Sequence, residues 1–220
     1  MNHLLNTITT GDARLLSQQI SDESIDLIFC DPPYLKEYIP LYGWLSQEAS
    51  RVLRPGGFLL TYVGNFWKYE TMFQLGQHMT YFWDYVTYMA HESSIIWPRR
   101  TIARHKSILA FVKGQGLPRT NVLSAWVGSG MDKRYHVWGQ DEGTARYYID
   151  CFSSPGEIVL DPFMGGGTTA YVCKVLGRQF IGFEISPETA DIARKRLETV
   201  QPLLMPEEPR QLTLESGGAA

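Results

Sequence analysis

Hydrophobic residues along the chain form short runs that alternate with longer segments of helical periodicity. Ile25 to Cys30 is a largely apolar run that ends at an aspartate, as expected for a buried strand. Leu41 to Leu53 places its apolar residues on one helical face and stops at the breaker Arg54 to Gly57. The same patterns predict further strands at Phe58–Val63, Phe82–Met89, Ser107–Val112, Glu157–Asp161 and Gln179–Phe183, and helices at Phe66–Met79, at Thr168–Leu176 and from Pro187 onward, with Ser186 as N-cap.

The order of these elements predicts the class of fold. One more strand within the first ten residues brings the number to seven, and strands interleaved with helices are typical of an α/β layered fold with a largely parallel sheet. We expect one domain over residues 1–200, with a short basic insertion near 91–136. Residues 205–220 lose all periodicity and are rich in Pro, Glu and Gly, so we expect a disordered tail.

A glycine-rich turn, Asp161 to Ala170 (DPFMGGGTTA), joins a predicted strand to a predicted helix. Its glycines let the backbone approach a ligand closely, and the N-terminus of the helix favours an anionic group. Glu184 lies at the end of the next strand, where a carboxylate can accept both hydroxyl hydrogens of a ribose. This order predicts a site for an adenosine-type cofactor. It leaves NAD open, because the turn also satisfies the loose dinucleotide fingerprint.

A second turn, Asp31-Pro32-Pro33-Tyr34, directly follows a predicted buried strand. The two prolines stiffen the loop, so a carboxylate, backbone carbonyls and an aromatic ring are held close together. A base amine that donates one hydrogen to Asp31 and one to a loop carbonyl is drawn toward tetrahedral geometry, which frees its lone pair to attack a sulfonium methyl. Tyr34 can stack on a base that has left the double helix. A loop that merely caps a helix is the alternative interpretation.

Charge is distributed unevenly along the chain, although the net charge is only −3. Between Ser93 and Gln140 the only acid is Asp132, whereas the basic residues are Arg99, Arg100, Arg104, Lys106, Lys113, Arg119, Lys133 and Arg134. A basic segment on an acidic body can bind phosphates, and a solvated loop with a chance charge run is the alternative.

The three cysteines, Cys30, Cys151 and Cys173, show no metal-ligand spacing and no disulfide framework. The sequence also lacks a signal pattern and an apolar run long enough to span a bilayer. We therefore expect a soluble cytoplasmic protein without a metal or a membrane partner.

Together the two turns resemble the amino-methyltransferase family of DNA methyltransferases, from Gly11-Asp12 to about Leu197. Asp31-Pro32-Pro33-Tyr34 matches the family's catalytic loop, Asp161 to Thr169 its cofactor loop, and Glu184 its ribose-binding acid. The catalytic loop comes first, the basic segment second and the cofactor loop last. That order is similar to the circularly permuted β group of the family.

The resemblance implies a three-layer Rossmann-like fold that binds S-adenosylmethionine (SAM), with a seven-stranded, mostly parallel, circularly permuted sheet. Its one antiparallel strand is expected in the hairpin of Phe82–Met89 and Ser107–Val112. Asp31, Pro32, Pro33 and Tyr34 are then catalytic, and Asp12 accepts a hydrogen bond from the amino group of the cofactor. The implied SAM-binding residues are Asp12, Asp161, Phe163, Gly165, Gly167, Thr168 and Glu184.

The chain also departs from the family's pattern. The β group usually has a lysine-containing segment before the cofactor loop, where this chain has His136 to Asp141 (HVWGQD). We expect Gln140 from this segment to contact the methionine carboxylate of SAM. The region available for target recognition, roughly Gly114 to Tyr135, is short, which favours a short site, few contacts or dimerisation of an otherwise monomeric protein. Core positions are the default expectation for Trp97, Trp126 and Trp138.

The resulting hypothesis is a SAM-dependent methyltransferase acting on adenine N6 of a flipped base in double-stranded DNA. Phosphate contacts are expected from Arg99, Arg100, Arg104 and Lys106. Cytosine N4 is the nearest alternative, and Asp31 favours adenine because the cytosine enzymes of this family often carry Ser there. RNA as substrate and a non-catalytic SAM- or DNA-binding regulator also remain alternatives. An NAD oxidoreductase would leave the proline loop unexplained.

Overall fold

The computed structural model describes residues 1–89, 94–97, 99–128 and 141–200. Its strands are β1 (Thr7–Thr10), β2 (Ile25–Cys30), β3 (Leu53–Val63), β4 (Thr80–Met89), β5 (Ser94–Ile96), β6 (Thr101–Ala103), β7 (His105–Val112), β8 (Ala125–Gly128), β9 (Ile158–Asp161) and β10 (Gln179–Glu184). Its helices are α1 (Ala13–Leu16), α2 (Ile39–Val52), α3 (Lys68–Leu75), α4 (Glu142–Phe152), α5 (Thr168–Val175) and α6 (Pro187–Glu198).

One eight-stranded sheet forms the centre of the molecule, in the order β1-β10-β9-β2-β3-β7-β4-β8. All of its strands run in the same direction except β7, which is antiparallel to both β3 and β4. The prediction of a mostly parallel sheet with one antiparallel strand is therefore confirmed, and β7 belongs to the hairpin in which that strand was expected. The N-terminal strand β1 pairs with β10, the strand closest to the C-terminus of the described chain.

Helices cover both faces of the sheet, because alternate residues of its central strands point in opposite directions. Leu27 and Phe29 of β2 contribute to a core shared with α4, α5 and α6, whereas Ile28 and Cys30 contribute to a core shared with α1, α2 and α3. Burial on both faces explains why the sequence of β2 is almost continuously apolar. The three-layer α/β prediction is confirmed.

Several element boundaries differ from the predicted ones. The segment Arg54 to Gly57 was expected to separate a helix from a strand, but β3 begins at Leu53. Leu53 pairs with Ile25, and the strand register then shifts before Phe58 pairs with Leu27, so the extra residues are accommodated as an irregularity within the strand. Gly56, with φ of 80°, supplies the left-handed conformation in this irregularity.

Strand β8 and helix α4 are among the elements that were not predicted. Strand β8 adds an eighth strand to the edge of the sheet beside β4, within the predicted insertion near 91–136. Helix α4 begins after Asp141, whose carboxylate accepts a hydrogen bond from the backbone N–H of Thr144 at 2.8 Å. The apolar residues that this helix buries recur at helical spacing and are Ala145, Tyr148, Ile149 and Phe152.

Strands β5 and β6 form a separate two-stranded hairpin that connects β4 to β7. This hairpin also lies within the predicted basic insertion. The predicted tail, residues 205–220, lies outside the described residues.

Candidate active site

Four parallel strands end side by side at one edge of the sheet. β1, β10, β9 and β2 are consecutive neighbours in it, and their ends lead into Asp12, Glu184, Asp161 and Asp31. From β9 the chain continues through α5, and from β2 it continues through α2, on the opposite face of the sheet. In an open α/β sheet such a divergence leaves a crevice beyond the carboxyl ends of the strands. The proline loop and the glycine turn therefore meet at one crevice.

The proline loop is held by two tyrosines and by a glycine. The hydroxyl of Tyr34 donates a hydrogen bond to Oδ1 of Asp31, and the hydroxyl of Tyr42 on α2 donates to the carbonyl of Pro33 at 3.3 Å. Gly64, at the end of β3, lies against the Tyr34 ring, where an added Cβ would come within 2.7 Å of the Tyr34 Cβ. The ring of Tyr34 thus occupies space that a larger residue at position 64 would fill.

Electrostatics keep the carboxyl of Asp31 close to the boundary between its two protonation states. Burial of this carboxyl raises the pKa of Asp31 to about 6, while the positive charge of Lys106 and the hydrogen bond from Tyr34 lower it. Lys106 lies on β7, half-buried, with its ammonium 5.8 Å from the centre of the Tyr62 ring. A carboxylate in this state is ionised at neutral pH and basic enough to accept a proton.

The glycine turn is stabilised by Asp161, the last residue of β9. Its Oδ1 accepts a hydrogen bond from the backbone N–H of Phe163 at 2.9 Å, and its Oδ2 accepts one from the hydroxyl of Thr169 at 2.6 Å. Burial, with a smaller contribution from the charge of Asp31, raises the pKa of Asp161 to about 7 against these two hydrogen bonds. Asp161 therefore uses both oxygens to fix the turn.

The two outer glycines of the turn have left-handed backbones but face different surroundings. At Gly167, with φ of 82°, an added Cβ would lie 2.9 Å from the Cβ of Ala193, so this glycine allows α5 and α6 to pack closely. At Gly165, with φ of 51°, an added Cβ would meet, among the described residues, only the carbonyl oxygen of Phe163, at 3.9 Å. Gly165 therefore borders open space.

Glu184 lies beside Gly165 at the end of β10, and Asp12 follows the neighbouring strand β1. Glu184 is partly exposed, and its two oxygens accept hydrogen bonds from the backbone N–H groups of Gly165 at 2.8 Å and of Ser186 at 2.9 Å. Asp12 caps α1 through the N–H of Arg14 and forms an ion pair with the Arg14 side chain at 2.6 Å. A carboxylate oxygen has two lone pairs, so Glu184, which accepts one of these hydrogen bonds on each oxygen, retains capacity to accept from a ligand. Asp12 accepts two hydrogen bonds from Arg14 on each of its oxygens, so a ligand there would have to displace part of the Arg14 side chain.

A residue that the sequence analysis missed, Arg196, lies beneath the glycine turn. Its guanidinium is buried and donates to the carbonyl of Gly166 at 3.0 Å and to the hydroxyl of Thr168 at 3.1 Å. It also forms an ion pair with Glu142, at the start of α4, at 2.6 Å. The signal in the sequence was its spacing, since Ala190, Ala193 and Arg196 recur every three residues and share the buried face of α6.

The basic residues predicted to contact DNA lie on and beside the β5–β6 hairpin. Arg99 and Arg100 are exposed in its turn, and Arg104 is exposed just after β6, with its guanidinium 5.6 Å from the centre of the Tyr88 ring. Lys106 differs from them because its charge acts on Asp31. Lys106 therefore interacts electrostatically with Asp31 in the crevice, in addition to any contact with phosphate.

The core expectation for the tryptophans is wrong for Trp97, which is 69% exposed. Trp126 is partly buried and stacks on Tyr147 with ring centres 4.2 Å apart. Trp138 and the predicted cofactor contact Gln140 lie outside the described residues. Within the described ranges, no helix has the length and apolar character of a membrane span, and no group of His, Cys, Asp and Glu side chains is arranged to hold a metal ion.

These features fit an adenosine-type cofactor. The exposed edge of Glu184 can accept hydroxyl hydrogens, Gly165 leaves room for a ligand beside the backbone, and the partly exposed ring of Phe163 is held edge-on by Trp44, with ring centres 6.2 Å apart. Ile185, directly after Glu184, exposes 71% of its surface and offers an apolar face for a purine. The sequence analysis did not single out Ile185, because an apolar residue after a strand is common.

Comparisons with known proteins agree with this geometry. A family model described as DNA methylase matches residues 120–195. The Type II methyltransferase M.HinfI of Haemophilus influenzae is 27% identical over 258 residues, covering 92% of this chain and 71% of its own length.

Solved structures share the fold at lower identity. PvuII DNA methyltransferase, described as cytosine-N4-specific, superposes with a TM-score of 0.75 at 18% identity, covering 86% of this chain and 85% of its own. The M1.HpyAVI–SAM complex superposes with a TM-score of 0.72 at 24% identity, covering 87% of this chain and 98% of its own. The chain is therefore similar to DNA methylases in sequence, and it shares the fold of solved methyltransferases.

Proposed function

We propose that this protein methylates N6 of an adenine that has been flipped out of duplex DNA. The observation that carries the proposal is the position of Asp31, a carboxylate poised near neutrality at the strand end adjacent to the cofactor turn. Adenine follows from the residue type at the head of the loop, since the family's cytosine enzymes often carry Ser where this chain has Asp31.

On the substrate side, Asp31 accepts one hydrogen of the adenine amine and a carbonyl of the proline loop accepts the other. The hydroxyl of Tyr34 donates to Asp31 in the absence of substrate, so it occupies an acceptor that the amine needs. Entry of the base displaces this hydroxyl and brings the Tyr34 ring against the base as a stacking surface. As the nitrogen bonds to the methyl carbon, the bond between that carbon and sulfur would break and its electron pair would stay on the sulfur, which becomes a neutral thioether. The nitrogen becomes positively charged, and it releases a proton to Asp31 and then to solvent.

On the cofactor side, bound SAM supplies the methyl group, attached to a positively charged sulfur. Glu184 accepts the ribose hydroxyl hydrogens, Asp12 accepts from the adenine amine of the cofactor, and Gly165 lets the backbone lie close to the ligand. Asp161, Gly167 and Thr168 act indirectly by fixing the turn. Gln140 remains the proposed contact for the methionine carboxylate.

Phosphate contacts are proposed for Arg99, Arg100 and Arg104, which are exposed on one hairpin next to the proline loop. For Lys106 we propose a second role, which is to keep Asp31 ionised. Each phosphate contact would contribute to the salt dependence of DNA affinity.

The decisive experiment is incubation with labelled SAM and DNA amplified in vitro, followed by digestion to nucleosides and identification of the product by mass. N6-methyldeoxyadenosine is the expected product. If the product is N4-methyldeoxycytidine, the target base is cytosine and the same site acts on its amine. If a methylated nucleoside appears only in an RNA control, the substrate is RNA. SAM binding without any methylated product would support a regulator instead. Sequencing of the methylated DNA then identifies the recognised site.

A further inference from the structure

The β5–β6 hairpin exposes large apolar side chains instead of burying them. Ile95 and Ile102 face each other across the two strands and are 59% and 63% exposed. Trp97, in the turn, is 69% exposed. Isolated exposed apolar residues are common, but three on one short hairpin are more typical of a surface that contacts a partner.

The turn of this hairpin is also basic. Arg99 and Arg100 are both exposed there, and Arg100 has φ of 50°, a conformation that a non-glycine residue adopts at an energetic cost. This backbone conformation is more typical of glycine or asparagine, and here it carries an exposed arginine. An apolar tip flanked by two positive charges is complementary to a nucleic acid, which combines stacked bases with phosphates.

Contacts with the loop after β3 place the hairpin beside the catalytic crevice. The guanidinium of Arg99 lies 5.1 Å from the centre of the Phe66 ring, and the amide of Asn65 donates to the carbonyl of His105 at 3.0 Å. The preceding residue, Gly64, is the one against which Tyr34 packs. Three consecutive residues, 64 to 66, therefore link the hairpin and the residues that follow it to the proline loop.

We propose that Trp97 is a wedge that enters the base stack of DNA and fills the space left by the flipped target base. Arg99 and Arg100 hold the phosphates on either side of that gap. This inference rests on the proposed function, because a wedge has a purpose only if a base leaves the duplex. The indole ring offsets the loss of stacking that base flipping causes, as apolar wedges do in proteins that kink DNA.

The test compares kcat/KM on two short duplexes that contain the recognised site. In one the target base is paired, and in the other it lies opposite an abasic site, so that it is already free to leave the stack. Trp97→Ala should lower kcat/KM about tenfold or more on the paired duplex and only about twofold on the abasic one, because the second substrate needs little help with flipping. Trp97→Phe should recover most of the activity. Trp83→Ala, which alters a tryptophan on β4 that is 52% exposed, is the matched control and should behave like the unaltered protein.

The possible outcomes distinguish a wedge from other roles of Trp97. An equal loss on both duplexes would overturn the wedge and leave a general contact or a structural role for Trp97. Unchanged kinetics on both would also overturn it and would favour a protein partner for the hairpin. If the unaltered protein methylates no DNA, the proposed function fails first, and the wedge fails with it.

Discussion

Asp31 and Asp161 end neighbouring parallel strands, and burial raises the pKa of both, to about 6 and to about 7. Their hydrogen bonds differ. Asp161 holds the N–H of Phe163 and the hydroxyl of Thr169, both within its own turn. Asp31, among the hydrogen bonds of the described residues, accepts only from the hydroxyl of Tyr34, which can rotate away. Both carboxyls are buried, but Asp161 is a permanent structural support of its turn, whereas Asp31 is an acceptor whose hydrogen-bond partner can be exchanged.

The surroundings of the two loops follow the same division. Arg196, Glu184 and Thr169 tie the glycine turn to α6, β10 and α5 before any ligand arrives. The proline loop relies on its own stiffness, on Tyr42 and on the space at Gly64. The cofactor side is preorganised by bonds, whereas the substrate side keeps its acceptor available for a partner that must enter and leave.

Substitution of the two aspartates gives the largest expected effect and tests the comparison directly. Asp31→Asn should lower kcat about a thousandfold, because the amide cannot accept the proton or oppose the developing charge, while SAM affinity changes little. Asp161→Asn should instead weaken SAM binding and retain kcat within about tenfold at saturating SAM. Single-turnover kinetics and calorimetry separate the two quantities. Equal losses of kcat in both variants would contradict the division of roles.

Substitution of Arg196 should have the next largest effect, because it should lower both the stability of the fold and the affinity for SAM. Arg196→Met removes the ion pair with Glu142 and the hydrogen bond to the carbonyl of Gly166, so the free energy of unfolding should fall by about 2–3 kcal/mol. Urea denaturation measures this loss. Lys195→Met, an exposed neighbour on the same helix, is the control. Arg196→Lys should recover part of the stability. A stable Arg196→Met variant with normal SAM affinity would show that Arg196 is not needed to hold the glycine turn.

Glu184→Ala should produce a smaller loss that is confined to binding. SAM affinity should fall about tenfold or more, because the variant lacks the ribose acceptor and also releases the N–H of Gly165. Isothermal calorimetry with SAM gives the dissociation constant. Glu188→Ala, which alters an exposed acid in the first turn of α6, should leave it unchanged. Unaltered affinity in Glu184→Ala would exclude this carboxylate from the ribose site.

The smallest expected effect is a shift in the pH profile. Asp31 acts in its ionised form, so kcat/KM should rise with pH and reach half of its maximum near pH 6, the pKa of Asp31 in the free enzyme. The positive charge of Lys106 lowers that pKa, so Lys106→Gln should move the acid limb to higher pH. Lys195→Gln removes an exposed charge elsewhere and should not move it. An identical profile in Lys106→Gln would restrict Lys106 to phosphate binding.

The central strands and both loops at their ends were predictable because their signals are local. A strand buried on both faces has to be apolar, and proline and glycine determine backbone geometry within a few residues. The bounds of β2 agree with its predicted bounds, and the capping of α6 by Ser186 is confirmed by its hydrogen bond to the N–H of Thr189 at 3.3 Å.

The missed elements depend on contacts between residues that are distant in the sequence. Strand β8 lies at the sheet edge and exposes half of its side chains, so its four residues carry no continuous apolar signal. Arg196 resembles a surface charge until α4 and the glycine turn pack around it. The exposure of Trp97 could not be predicted locally either, because tryptophan side chains are usually buried. Trp97 is exposed because the hairpin that carries it holds it away from the core.

The hydrogen atom that serves as the side chain of Gly64 has a practical consequence for interpreting natural variants. The Cβ of an alanine at this position would lie 2.7 Å from the Cβ of Tyr34, although the substitution adds only one methyl group and no reactive chemistry. Such a variant should displace the Tyr34 side chain and so lower methyl transfer. A survey that scores only charged or polar positions would classify a Gly64 variant as harmless. The space that Gly64 leaves for the Tyr34 side chain is therefore one of the determinants of activity.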